Sequence, residues 1–152
     1  MKTLLRLIVF SVIVGCQAPV DHARDRELLL QSNENQRRAH MENNADLLLA
    51  EMADTLTTVQ RGEFRIEAKN DMYGRWQSYF ASVKYLAWDD LEPPIIELAN
   101  DGSLASVSVR KITIASSDGA PVDTTFFAWT SNYRKINGAW KIYQVTSTRM
   151  AQ

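Results

Sequence analysis

The chain has 152 residues, 45% of them hydrophobic and 23% charged, and its 17 lysines and arginines against 18 aspartates and glutamates leave a formal charge of −1. No basic stripe stands out, and the slightly acidic balance excludes nucleic acid as a partner. The single cysteine excludes an internal disulfide, while the length suits one domain with a sizeable core.

Residues 1–15 are set apart from the rest. Lys2 and Arg6 frame the start of an apolar run that includes Leu7, Ile8, Val9, Phe10, Val12, Ile13 and Val14. That run is about half the ~20 residues a spanning helix needs, so it reads as a signal peptide. The segment Ile13-Val14-Gly15-Cys16 resembles the lipobox of bacterial lipoproteins, and no A-x-A cleavage pattern competes with it. The resemblance implies cleavage before Cys16 and lipidation of its sulfur with acyl chains such as palmitate. The membrane is then a partner through that anchor. Gln17 after the cysteine points to the outer membrane, with the protein facing the periplasm. An acylated Cys16 leaves no thiol for metal binding or nucleophilic attack. Loss of Lys2 and Arg6 takes the basic count to 15 against 18 acidic residues, a charge of −3 on 137 residues.

Residues 16–25 are polar, carry Pro19 and read as the lipidated N-terminus and a tether. The folded domain is expected over 26–152. From Arg26 the pattern is helical, with Leu29, Asn33, Gln36 and His40 on one stripe. Asn43-Asn44 stops that helix, and Asn44 is placed to cap a second one over 45–52. Short strands follow at 56–59 and 64–66 around an Arg61-Gly62-Glu63 turn. A third helix over 68–82 places Met72, Trp76, Tyr79 and Phe80 on one face. The rest reads as sheet: 83–89, 95–98, 104–115, 122–136 and 139–149. Pro93-Pro94 mark a bend or an edge, and Asn100-Asp101-Gly102, Ser117-Asp118-Gly119 and Asn137-Gly138 mark turns.

This α+β order is similar to the NTF2-like fold, in which a strongly curved antiparallel sheet wraps a helix to form a cone. The resemblance extends to motifs. His40 with Asn44-Ala45-Asp46-Leu47-Leu48, the run Trp88-Asp89-Asp90-Leu91-Glu92-Pro93-Pro94-Ile95, the turn Asn100-Asp101-Gly102-Ser103 and the closing Asn137-Gly138-Ala139-Trp140 resemble the SnoaL-like and DUF4440-like branch. The resemblance spans about residues 28–150. It implies a fold that hosts binding modules, assembly modules and small-molecule isomerases or dehydratases alike.

Strand alternation then selects candidate ligand-binding residues. Phe127, Trp129, Ser131 and Tyr133 share one face of their strand, and Leu104, Ser106, Ser108, Arg110 and Ile112 share one of theirs. With Trp76 and Phe80 from the helix, these faces give an aromatic cone with His40, Ser108, Arg110 and Tyr133 as polar points, expected either to hold a small apolar ligand or to form an ordinary core. Trp76 is expected to pack near Trp129 and Phe127. Arg110 is placed either to clamp a carboxylate ligand or to pair with a carboxylate at the rim. His40 is either a general base or a structural residue that bonds a free carbonyl near its helix end, where a protonated imidazole is favoured. Adjacent Asp89 and Asp90 point to opposite faces, so they form no shared-proton dyad. A dehydratase-like trio of His40, Asp89 and Tyr85 is available. Ketosteroid isomerases of this fold carry an aspartate base by the first hairpin; the hairpin here, 57–63, has none. One domain histidine leaves no metal site, and no cofactor is expected. The reading is a non-catalytic accessory domain, with an isomerase or dehydratase and a homodimeric assembly module as its rivals.

Overall fold

The computed structural model describes residues 20–150. The signal segment and Cys16 lie outside the described residues. Helix α1 (His22–Met41) begins where Asp21 accepts a bond from the Arg24 amide, and it is followed by α2 (Ala45–Ala50). Strands β1 (Met52–Gln60) and β2 (Glu63–Ala68) form a hairpin, and α3 (Lys69–Ser82) leads into β3 (Val83–Asp90), β4 (Ile95–Leu98), β5 (Leu104–Ser117), β6 (Asp123–Ile136) and β7 (Ala139–Arg149). No helix among the described residues is long and apolar enough to cross a membrane.

Most boundaries fall within a residue or two of expectation, and two differ by more. Helix α1 starts at His22, so the last residues of the expected tether are helical. Asp25 is buried there, ion-paired with Lys135 at 2.7 Å and accepting from Trp140 Nε1 at 2.9 Å. Burial opposes its ionisation, but the bonds from Lys135 and Trp140 outweigh that cost and hold the carboxyl below the usual carboxylate range. A polar sequence hid this turn because its anchors lie more than a hundred residues away. Met52 belongs to β1 rather than to α2, and β1 is correspondingly longer than expected.

The seven strands form one curved, unclosed sheet in the order β2-β1-β7-β6-β5-β3, with β4 also paired to β5. All pairings are antiparallel except β1 with β7. The 14-residue β5 serves two neighbours on one edge: 105–108 pair with β4 and 111–117 with β3. Asn137 and Gly138 both take positive φ, 51° and 80°, as the tight β6–β7 hairpin requires. The helices and the inner face of the sheet enclose Leu29, Leu48, Met72, Phe80, Val107 and Ile142. Outside, Phe64 and Ile66 on edge strand β2 are 76% and 70% exposed.

The α1–α2 corner shows how a local residue type sets geometry. Asn43 takes a left-handed φ of 51°, and the Asn44 side chain accepts from the Leu47 amide at 2.9 Å. Asn44→Ala is expected to cost about 1 kcal/mol, the usual worth of an N-cap. Urea unfolding measures this, and an unchanged midpoint would show that α2 is held by burial of Leu48 and Leu49 alone.

Candidate functional site

The interior of the cone is an aromatic cluster centred on His40, in the last turn of α1. Its ring stacks on Trp88 with centroids 3.5 Å apart and 13° between planes. Phe80, Tyr85 and Trp76 approach it edge-on at 5.5, 5.6 and 5.9 Å. Trp88 continues the cluster to Trp129 at 5.3 Å, and Trp129 to Phe127 at 6.4 Å. So Trp76 packs on His40, Tyr79 and Phe80, and it is Trp88 that meets Trp129.

His40 Nδ1 lies 2.7 Å from the Gln36 carbonyl. A carbonyl only accepts, so Nδ1 carries the hydrogen and Nε2 keeps the lone pair. The imidazole therefore bonds a helix carbonyl as expected, but in its neutral form. Burial holds its pKa down at about 4, and Lys111 pushes the same way against the Gln36 bond.

Lys111 is the cation of this interior, with 0% side-chain exposure. It pairs with Asp90, whose other oxygen accepts from Asn33 Nδ2 at 2.8 Å, and its ammonium lies 5.7 Å from the Trp129 ring centre. The expectation for β5 is thus corrected by one residue. Ala105, Val107, Val109, Lys111 and Thr113 face inward, aligned with Tyr133, Ser131, Trp129, Phe127 and Thr125 of β6. Arg110 faces out, 59% exposed and 3.5 Å from Glu92, which is the rim ion pair. Ser108 also lies outside and bonds Thr130 at 2.8 Å.

A bulge aims the β3 side chains. Pairing with β5 slips between Tyr85 and Ala87, leaving Leu86 unmatched. The slip puts Tyr85, Trp88 and Asp90 together on the inner side despite their odd and even numbers. Asp89 turns to Arg37 at 2.9 Å, so the carboxylate in the cone is Asp90. The trio of His40, Asp89 and Tyr85 is not assembled. Tyr85 instead bonds the Tyr79 hydroxyl, and burial raises its pKa.

Tyr133 faces inward as expected, but as a satisfied core residue. Its hydroxyl accepts from Gln36 Nε2 at 3.0 Å and lies 3.3 Å from Ser32 Oγ, which donates to Glu51. Burial pushes its pKa up to about 12, so the phenol stays neutral. Two indole donors are unsatisfied: Trp76 Nε1 and Trp88 Nε1 are buried and meet no acceptor among the described residues. No group of three metal-ligating side chains occurs among those residues. Two shallow pockets lie elsewhere; the larger, about 580 Å³, lies on the surface between the α1–α2 corner and α3.

A curved sheet wrapped over three helices, with an aromatic interior reached by β3, β5 and β6, defines an NTF2-like cone. The SnoaL-like domain matches residues 29–151, and the chain belongs to that family. Among solved structures, an NTF2-like superfamily protein from Salmonella enterica superposes with a TM-score of 0.74 at 12% identity, covering 87% of this chain and 95% of its own. A ketosteroid isomerase-like protein from Erwinia carotovora gives 0.67 at 12% identity, with 83% and 96% covered. A candidate dehydratase of the NTF2-like family from Streptomyces avermitilis gives 0.69 at 14%, with 86% and 99% covered. No curated protein matches the sequence. At these identities the structural likeness speaks for the fold alone.

Proposed function

We propose that this protein is a lipid-anchored component of the cell envelope whose cone binds a small, largely apolar ligand carrying a hydrogen-bond acceptor, without catalysing its conversion. The observation that carries the binding reading is the pair of unsatisfied indole donors, Trp76 Nε1 and Trp88 Nε1, within one aromatic cluster. A buried donor without a partner costs on the order of 1–3 kcal/mol, which a bound acceptor returns. Planar apolar groups suit the surrounding rings. The anchor reading rests on the signal segment and Cys16, with the outer membrane, periplasmic side, indicated by Gln17.

The rival reading is an isomerase or dehydratase, supported by the lone pair left on His40 Nε2 within the aromatic cluster. Its weakness is chemical. A general base works best with a pKa near the working pH, and a buried imidazole at about 4 is a poor acceptor of protons from carbon acids. A homodimer joined through the outer sheet face is supported by the exposure of Phe64 and Ile66.

Native mass spectrometry of residues 17–152, exported behind a cleavable secretory signal peptide and purified from the periplasm without denaturant, tests these readings together. The expected result is a folded chain carrying a small organic molecule, with enolisable ketones turned over no faster than in buffer. Ligand-free protein whose tryptophan fluorescence no extract perturbs would overturn the binding reading. Ketone turnover that disappears in a folded His40→Gln variant would establish the enzyme.

A further inference from the structure

The anchor and the first described residues together fix which end of the domain meets the membrane. Val20 lies four residues after Cys16, and a fully extended four-residue link spans at most about 14 Å. Val20 is itself held: it packs against Gly102 in the β4–β5 turn so closely that a Cβ built there would come within 2.6 Å of Val20 Cγ1. Five residues on, the buried clasp of Asp25 with Lys135 and Trp140 fastens the first turns of α1 to the β6–β7 hairpin. The Lys135 amide also bonds the Ser103 carbonyl at 3.2 Å, which joins the two turns to each other. The chain therefore enters at one pole, made of the turns at 100–103 and 137–138. Val20 and Leu104 are 41% and 47% exposed there.

The aromatic interior lies toward the other pole. His40 is 18 residues along α1 from His22, about 27 Å at 1.5 Å per residue. Near it, Asn43 bonds the Val83 carbonyl and the Asp118 amide bonds Ser82, so the far pole is closed by the α1–α2 corner and the β5–β6 turn. Helix α1, 20 residues and so about 30 Å long, runs from the first pole toward the second.

We infer that the pole formed by the β4–β5 and β6–β7 turns, with Val20 and Leu104, rests on the bilayer that holds the acyl chains, and that the domain stands upright with its His40 cluster directed away from the lipid. The inference rests on the anchor reading of Cys16. A nine-residue tether running to residue 25 would reach about 30 Å and let any face touch the membrane. The fixed chain from Val20 onward removes that freedom.

The test uses the acylated mature chain in phosphatidylcholine vesicles containing a headgroup-linked spin label as quencher. Acylation consumes the Cys16 thiol, so one added cysteine at a time can carry a fluorophore. Asn100→Cys and Ala139→Cys report the near pole; Ser78→Cys and Ala120→Cys report the far one, and all four positions are exposed. The expected result is quenching several-fold stronger at Asn100 and Ala139 than at Ser78 and Ala120. An acylated chain with equal quenching at all four positions lies on its side, and the orientation is then wrong while the anchor stands. A chain whose N-terminal peptide carries no acyl group, and which stays off the vesicles, overturns anchor and orientation together.

Discussion

Acidification from pH 7 to 4.5 is expected to cost the folded domain roughly 2 kcal/mol through His40 alone, read as the difference between the parent and His40→Phe. The sign follows from where the proton goes. In the fold the imidazole is stacked on Trp88 and ringed by Phe80, Tyr85 and Trp76, and its pKa lies at about 4. In the unfolded chain it titrates near its ordinary value of about 6.5. Between those values the unfolded state takes up a proton that the folded state refuses. This contribution is therefore complete above pH ~6.5 and is lost as the pH falls toward 4. Phenylalanine keeps the ring and gives up the Gln36 bond, so it lowers stability at neutral pH but lacks the titration. Urea midpoints at several pH values measure the gap between the two proteins. The gap should narrow on acidification, and a constant gap would show that His40 is solvated or already paired.

The second large effect belongs to Lys111. Lys111→Met preserves most of the side-chain volume and deletes the charge, leaving Asp90 on the inner face with only Asn33 beside it. Breaking a buried pair on one side costs about 3–5 kcal/mol in general. The lower end is expected here, because the Asp90 side chain keeps 23% exposure. Adding Asp90→Asn to Lys111→Met should recover most of that loss, since replacing both charges removes the uncompensated ion. Chemical denaturation of the parent, the single and the double variant decides it. A single variant within 1 kcal/mol of the parent, on the order of an exposed ion pair, would show that water reaches Asp90.

Much of this architecture is legible in the sequence, because turns and alternation are local signals. Asn137-Gly138, the Asn44 cap and the third-helix face of Met72, Trp76 and Phe80 all appear where their residue types place them. The site was harder to read, for reasons that can be named. On β5 both alternating sets offer apolar and polar members. Leu104 and Ile112 favoured the wrong one, whereas Ala105, Val107 and Val109 form the more continuous apolar run and carry Lys111 inside with them. The signal was present, but a lysine is normally read as surface, and only a matching carboxylate makes its burial tolerable. On β3 the bulge at Leu86 breaks the alternation that would relate Tyr85 to Trp88. No residue type announces it. The partners of Asp25 are likewise invisible locally, since they lie 110 and 115 positions away.

That separation has a kinetic consequence. Strand β1 finds its parallel neighbour only in β7, the last strand described, and the first turn of α1 is tied to Trp140. Loop-closure entropy must be spent on these distant pairings before they return any stability, so high contact order predicts slow folding for the size. Until β7 is present, one edge of β1 has no partner and Asp25 has Lys135 of β6 but lacks its second donor, Trp140. Chains cut short before Ala139 should therefore fail as a whole rather than lose one strand. During synthesis, the N-terminal helix waits for β7.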